Sequence, residues 1–192
     1  MIFRRLLDDR AGGSAAEFAL VLPLLILFLF GIIDAGRWMW INNRGEKAAQ
    51  MGARMAVVTS PVSSAVTDNY VGACSPALTQ GDLIPASCFS TVTCTDSTCS
   101  SGTADQVAFR RIVDRMHAFF PDIQYSNVTL KYSSAGLGYA GNPNGPDLSP
   151  LVTVEVSGLV FTPISGLMLV NAPLPNFSTS LTAEDSVGTQ SN

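Results

Sequence analysis

Four cysteines are the residues of this chain best suited to chemistry. They lie together in a stretch rich in serine, threonine, glycine and proline, and none lies elsewhere in the chain: Cys74, Cys88, Cys94 and Cys99. Zinc sites are typically built from close C-x-x-C pairs and histidines, whereas the nearest cysteine pair here has four intervening residues. This spacing favours two disulfides over a zinc site, and disulfides indicate an oxidising compartment. Among the three possible connectivities we expect Cys74–Cys88 and Cys94–Cys99.

Other side chains with catalytic potential are scattered. His117, the only histidine, falls in a predicted helix. A histidine in such a position is more often a surface residue than a catalytic base. The sequence has no G-x-S-x-G motif, and its C-terminal carboxylates show no spacing that implies a paired acid and base. These carboxylates are Asp147, Glu155, Glu184 and Asp185. We therefore expect no enzymatic activity, no metal, no cofactor and no small-molecule substrate.

The charge distribution argues against nucleic-acid binding. The formal net charge is -4 at pH 7, and few basic residues follow residue 54: Arg110, Arg111, Arg115 and Lys131. Nucleic-acid-binding domains instead carry a basic patch or stripe. A chain of 192 residues is long enough for one domain of modest core together with a membrane segment.

An uncharged apolar run, Phe18–Ile33, is the strongest feature of the sequence. Its 16 residues are slightly fewer than the roughly 20 that a helix needs to cross a bilayer. Extension past Asp34 would complete the span if the Arg37 side chain reaches up to the headgroups. Trp38 and Trp40 would then lie at the membrane interface. We interpret the run as a transmembrane helix.

A cleaved secretory signal is the alternative interpretation of this run, because Arg4, Arg5 and Arg10 form a basic region before it. No small-x-small cleavage pattern follows Ile33, so we expect the anchor to be retained. Basic residues flank the run on both sides, and charge alone therefore does not set the topology. The cysteines do set it, because their disulfides require the C-terminal side to lie outside the cytoplasm.

Two helices are predicted around a turn-rich region. The first covers 13–60 and carries a stripe of small residues from Ala48 to Ala56, which would pack either on the chain's own domain or on neighbouring subunits. Residues 61–102 show no sustained periodicity. Thr103–Gln106 then fits a capping box, and apolar residues recur at helical spacing from Val107 to Phe120.

The remaining sequence alternates with a period of two, which is typical of half-buried strands. The clearest alternations are Val128/Leu130/Tyr132 and Val152/Val154/Val156, and further strand candidates are 159–161, 167–170 and 177–183. The predicted fold class is α+β. It comprises an N-terminal long transmembrane helix followed by an extracytoplasmic domain with one amphipathic helix and an antiparallel sheet.

A short motif stands directly before the apolar run: Gly12-Gly13-Ser14-Ala15-Ala16-Glu17-Phe18. A carboxylate at the edge of a membrane helix is costly unless it has a partner or a role. The motif resembles the processing site of type IV prepilins, particularly the Flp and TadE-like group, in which Glu is the fifth mature residue. The resemblance continues through Gly31–Arg37 to Ala48–Arg54 and covers about the first third of the chain. Asp34 stands where the family has an acidic residue, often Glu.

The resemblance implies a TadE-like minor pilin or pseudopilin of the tight-adherence (Tad/Flp) pilus assembly system. It implies cleavage by a prepilin peptidase between Gly12 and Gly13, with cleavage after Gly13 as the alternative, and a role for Glu17 and Phe18 in assembly. The implied partners are the membrane, the peptidase, and other pilins or Tad assembly proteins. The implied location is the bacterial inner membrane, with one membrane pass and the C-terminal domain in the periplasm.

Two alternatives stay open at this stage. Glu17 could simply cap the amino end of the helix, where the helix dipole favours negative charge. The whole chain could be an uncleaved, signal-anchored envelope scaffold of a secretion system. In either case the expected organisation is a leader at 1–12, the helix and its extension at 13–60, a disulfide-bearing loop at 61–102, and an α+β domain at 103–192.

Overall fold

The computed structural model describes residues 13–66, 69–74, 76–143, 146–164 and 171–183. Several residues and segments named above lie outside these described residues: the leader with Gly12, the strand candidate 167–170, and the carboxylates Glu184 and Asp185. The chain divides into two compact units. The first combines Met1–Trp40 with Val160–Ala172, and the second combines Ile41–Leu159 with Pro173–Asn192.

Helix α1 spans Gly13–Val58 and is 46 residues long, which confirms the predicted long N-terminal helix. Leucine, alanine, methionine, arginine and glutamine favour the helical backbone throughout, and Pro23 is accommodated inside it. After Val58 the Thr59 hydroxyl donates to the carbonyl of Met55 at 2.6 Å, and Pro61 follows shortly afterwards.

Helix α2 spans Gln106–His117 in the second unit. It is capped by Asp105, whose carboxylate accepts hydrogen bonds from the N–H groups of Val107 and Ala108, and not by Thr103 as the capping-box pattern predicts. Thr103 is engaged elsewhere, since its hydroxyl pairs with Ser64 at 2.9 Å. The helix buries one face, consisting of Ala108, Phe109, Ile112, Val113 and Met116. Val107, expected on that face, is 60 % exposed instead.

A four-stranded antiparallel sheet forms the centre of the second unit, in the order β1-β2-β3-β6. Its strands are β1 (Val92–Cys94), β2 (Val128–Ser133), β3 (Leu151–Val156) and β6 (Phe177–Thr182). Buried residues alternate with half-buried ones along β2 and β3, as the sequence predicts. On the more open face Lys131 pairs with Glu155 at 2.6 Å. The α+β fold class is therefore confirmed.

The remaining elements are short. Strand β4 (Val160–Phe161) pairs with β5 (Ala172–Pro173), and single 3-10 turns occur at Ala86–Cys88 and Tyr125–Asn127. Strand β1 lies inside the region expected to be loop. It consists of only three residues, which is too short to show an alternating pattern.

Candidate functional site: the apolar helix and its supports

The apolar run occupies the first half of α1, and its side chains are exposed on every side. It is the one helix among the described residues that is long and apolar enough to cross a membrane. Thirteen large apolar residues between Phe18 and Ile33 are exposed by 36 % or more. Fully burying one such side chain contributes about 1.5–3 kcal/mol, so leaving all of them in water would cost more than the roughly 5–15 kcal/mol that stabilise a typical domain. An apolar environment must therefore cover the run.

The predicted processing and assembly residues stand at the start of this helix. Gly13 is its first residue, and a Cβ added there would meet nothing within 4 Å. Glu17 and Phe18 are both exposed one turn further on, with Phe18 at 64 %. The structure therefore brings Gly13, Glu17 and Phe18 together at one accessible end of the helix.

A charged cluster follows directly after the apolar run, within the first unit. Asp34 is only 8 % exposed. Its Oδ1 accepts a hydrogen bond from the N–H of Ile164 at 2.9 Å and lies 3.4 Å from a guanidinium nitrogen of Arg37. Arg37 also donates to the carbonyl of Thr162 at 3.4 Å and stands over the ring of Phe161, 5.4 Å from its centroid. The acid in this stretch thus has a partner 130 residues further along the chain.

The small-residue stripe of α1 packs inside the second unit. Ala48, Ala49 and Ala53 have no exposed surface. A Cβ added to Gly52 would lie 2.5 Å from the sulfur of Met116 and 3.2 Å from a methyl group of Val154. These contacts support internal packing, which was one of the two interpretations left open by the sequence.

Two further contacts hold this half of α1 in place. Arg44 donates to the carbonyl of Phe119 from two nitrogens, at 3.1 and 2.9 Å, and its guanidinium lies 5.2 Å from the ring centroid of Phe120. Beyond the helix, the N–H of Val62 donates to the hydroxyl of Tyr132 at 3.0 Å. Burial raises the pKa of Tyr132 to about 12, so this hydroxyl stays neutral at physiological pH.

The cysteine-bearing region contains two disulfides, Cys74–Cys88 and Cys94–Cys99, with no free thiol among the described residues. This pairing is the connectivity that we expected from the sequence. Cys94 belongs to β1, so the second disulfide closes a turn at the edge of the sheet. Disulfides indicate that this domain is extracytoplasmic.

Asp147 organises the loop that carries the first disulfide. It is 2 % exposed. Its carboxylate accepts hydrogen bonds from the N–H groups of Tyr70, Gly141 and Asn142, at 2.6, 2.8 and 2.7 Å. Burial raises the pKa of this carboxyl, but the three hydrogen bonds outweigh burial and hold the pKa below its ordinary value of 3.8. Asp147 is therefore a structural anion that fastens two loops together.

His117 lines a shallow cavity of about 130 Å³ together with Asp114 and Tyr125. The Tyr125 hydroxyl donates to Asp114 at 2.7 Å, so this carboxylate is already engaged. Within the described ranges no group of three or more histidine, cysteine or acidic side chains is placed to hold a metal ion.

Sequence reasoning missed two of these residues as organising groups. It considered Arg37 only as a side chain reaching to lipid headgroups and did not predict that the guanidinium binds Asp34 and Thr162. It also gave Asp147 no role, because each of its donors is a backbone N–H that leaves no mark in the sequence. The signal that could have found the first contact is the acid that directly follows the apolar run.

The N-terminal part of the chain is similar to a known protein family. Residues 12–54 match the family model described as TadE-like protein. This range begins at Gly12 and contains the apolar run, Asp34, Arg37 and most of the small-residue stripe. No curated protein and no solved structure matches the chain. Over residues 12–54 the chain is therefore similar to TadE-like proteins.

Proposed function

We propose that this protein is a minor pilin or pseudopilin that takes part in assembling the tight-adherence pilus. The observation that carries the proposal is the TadE-like match over 12–54, which coincides with an exposed apolar helix beginning at Gly13. In this proposal the protein is an assembly component and has no catalytic activity. Its partners are the membrane, a prepilin peptidase, and other pilins or Tad assembly proteins.

The proposed location is the bacterial inner membrane, with a single pass through α1 and the C-terminal domain in the periplasm. The two disulfides support this orientation, because they require an oxidising compartment. Residues 1–12 would be a cytosolic leader and 13–60 the helix with its extension. Residues 61–102 would be the disulfide-bearing loop and 103–192 the rest of the extracytoplasmic domain.

Processing is the first step of the proposed mechanism. A prepilin peptidase would cut between Gly12 and Gly13, leaving Glu17 as the fifth residue of the mature chain. The new amino group of Gly13 and the Glu17 carboxylate would then lie about one helical turn apart at the edge of a low-dielectric layer. Each charge alone is costly there, and an opposite charge within about 4–6 Å offsets part of that cost.

Assembly would use the same carboxylate. As helices pack side by side, Glu17 can pair with the amino terminus of its own chain or with that of a neighbouring subunit. The second pairing would set the register between subunits, and the exposed Phe18 would pack beside it. Glu17→Gln keeps the size of the side chain and removes its charge, so we expect normal synthesis, insertion and cleavage but a sharp fall in surface pili.

The deciding experiment is mass spectrometry of the amino terminus of protein recovered from membranes of the native host. A terminus at Gly13 supports the proposal, and one at Ser14 moves the cut by one residue. A terminus at Met1 would favour the uncleaved envelope scaffold instead. Leu24→Ile, a change within the apolar run that keeps its apolar character and alters no charge, serves as the control for Glu17→Gln in the pilus assay. Normal piliation in Glu17→Gln would reduce the carboxylate to a helix cap.

A further inference from the structure

A short segment, 160–164, is held against α1 directly above the apolar run. The N–H of Ile164 donates to Asp34 at 2.9 Å, and Arg37 donates to the carbonyl of Thr162 at 3.4 Å. The guanidinium of Arg37 also covers the ring of Phe161. All of these residues belong to the first compact unit, so the segment and this turn of the helix form one piece of structure.

The contact with Asp34 sets the level of the segment along α1. Arg37 lies one turn beyond Asp34, further from the apolar run, and it contacts Thr162. Asp34, adjacent to the run, contacts Ile164. Because the N–H of Ile164 binds Asp34 directly, residue 164 lies at the level at which the apolar run ends.

The length of the apolar run indicates where the turn that carries Asp34 would lie relative to a bilayer. Sixteen residues at a rise of 1.5 Å each span about 24 Å, whereas the hydrocarbon layer of a bilayer is about 30 Å thick. The missing 6 Å correspond to about four further residues, which is the turn from Asp34 to Arg37. If α1 crosses a bilayer, the turn that carries the docked segment lies at the edge of the hydrocarbon layer.

The docked segment makes this turn compatible with such a position. A bare carboxylate at the hydrocarbon edge would be costly. Here the N–H of Ile164 and the guanidinium of Arg37 satisfy Asp34, and the protein covers all but 8 % of it. The turn therefore presents few unsatisfied polar groups to lipid.

Two of the three exposed residues of the segment are apolar, and the third is Thr162. Val160 is 56 % exposed and Ile164 is 62 % exposed, and residues 160–172 contain no charged side chain. Trp38, an aromatic residue of the type enriched at membrane interfaces, is exposed on the adjacent turn of the helix. If α1 crosses a bilayer, the material that surrounds the protein at this level is phospholipid.

We propose that residues 160–164 form a second membrane contact, in which Val160 and Ile164 lie at the boundary between acyl chains and headgroups in the leaflet from which α1 emerges. Asp34 and Arg37 are the positioning residues that hold the segment there. The inference rests on the membrane anchoring contained in the proposed function. It does not depend on cleavage or on pilus assembly.

Site-specific fluorescence in lipid bilayers tests the proposal. Variants of the full chain each gain one free cysteine, with both native disulfides left intact, and carry an environment-sensitive probe at Ile164→Cys, at Phe28→Cys within the apolar run, or at Val107→Cys. Val107 is the matched control, because it is an exposed apolar residue of similar accessibility on α2. The proteins are reconstituted into vesicles of phosphatidylethanolamine and phosphatidylglycerol, with doxyl-labelled lipid or aqueous iodide as the quencher.

We expect lipid-borne quenching at position 164 to be several-fold stronger than at position 107, with iodide quenching correspondingly weaker. Quenching at 28 but not at 164 would refute the second contact while leaving the anchor intact. Absence of lipid quenching at 28 would refute the anchor and the inference together. Protection of position 164 from both quenchers would indicate contact with protein and refute the assignment to lipid.

The role of Asp34 is tested in the same system. In the Ile164→Cys background, Asp34→Ala removes the acceptor for the Ile164 N–H and should lower lipid quenching at 164 at least twofold, with quenching at 28 unchanged. Asp34→Asn retains an oxygen acceptor and should preserve most of the quenching. Equal quenching in all three backgrounds would show that Asp34 does not position the segment.

Discussion

Removing the Asp147 carboxylate should loosen the whole disulfide-bearing side of the domain. In Asp147→Ala, the N–H groups of Tyr70, Gly141 and Asn142 lose their acceptor. An unsatisfied buried group costs roughly 1–3 kcal/mol, and the three losses are not independent because they share one side chain. We therefore expect the free energy of unfolding to fall by about 3–5 kcal/mol.

Asp147→Asn separates the charge from the geometry. Tyr70 and Gly141 both donate to Oδ2, whereas Asn142 donates to Oδ1. An amide oxygen in the Oδ2 position would keep two of the three hydrogen bonds, and its NH₂ group would then face the N–H of Asn142. We expect a smaller loss than in the alanine variant, about 1–3 kcal/mol.

The effect has a defined pH dependence. The pKa of Asp147 in the folded protein lies below its ordinary value of 3.8. A group of this kind stabilises the fold above its unfolded-state pKa, and the contribution disappears as the pH falls through the folded-state pKa. The difference between wild type and Asp147→Ala should therefore be constant from about pH 7 to about pH 5 and shrink below about pH 4.

Hydrogen–deuterium exchange of the intact protein in bilayers or detergent measures both local and global opening. Peptides covering β2 and β3 report on the core, and peptides covering residues 69–84 report on the loop. Asp122→Ala, an exposed aspartate in the same unit, is the control and should change neither set. Unchanged exchange of both sets in Asp147→Ala would refute the structural role assigned to this carboxylate.

Two further changes test the packing and the covalent constraints. Gly45→Ala would push a methyl group against the Phe177 ring and should destabilise the domain by roughly 1–2 kcal/mol, despite the better helix propensity of alanine. In the control Gly36→Ala the added methyl group meets nothing within 4 Å, so we expect no destabilisation. Hydrogen exchange of β6 distinguishes the two variants, and equal protection of β6 in both would contradict the contact with Phe177. Replacing the Cys74–Cys88 pair by serine should cost about 3 kcal/mol, and replacing the shorter Cys94–Cys99 pair about 2 kcal/mol. Denaturant unfolding measures both losses, and four alkylatable thiols in protein isolated from the cell envelope would contradict the extracytoplasmic assignment.

The features that local patterns encode could be predicted from the sequence. The alternation in β2 and β3 and the long helical stretch of α1 each depend on neighbouring residues, and both are confirmed. The start of α2 was wrong by two residues because Thr103 and Asp105 are both good capping residues. In the structure the Thr103 hydroxyl binds the distant Ser64, and Asp105 caps the helix.

The contacts that organise the candidate site could not be predicted in this way. Asp34 meets the backbone of Ile164, which is 130 residues away, and Asp147 meets three backbone N–H groups from two loops. A backbone donor carries no residue-specific signal, so a single sequence shows that such an acid needs a partner and does not show which one. The apolar environment of the run, in contrast, could be predicted from the sequence, because the composition of the run alone requires it.

The composition of the apolar run does not show whether lipid or other protein helices cover α1. The carboxylate of Glu17 is the group that can distinguish these two environments. A lipid bilayer and a bundle of apolar helices both remove the run from water, so hydrophobic free energy hardly distinguishes between them. A carboxylate distinguishes them strongly, because lipid offers it no partner at depth, whereas a neighbouring chain with a free amino terminus does. If α1 is recruited into an assembly, as proposed above, a carboxylate at the end of its apolar run would favour a neighbouring chain over lipid. Glu17 is the carboxylate in that position, and Phe18 to Ile33 are uncharged.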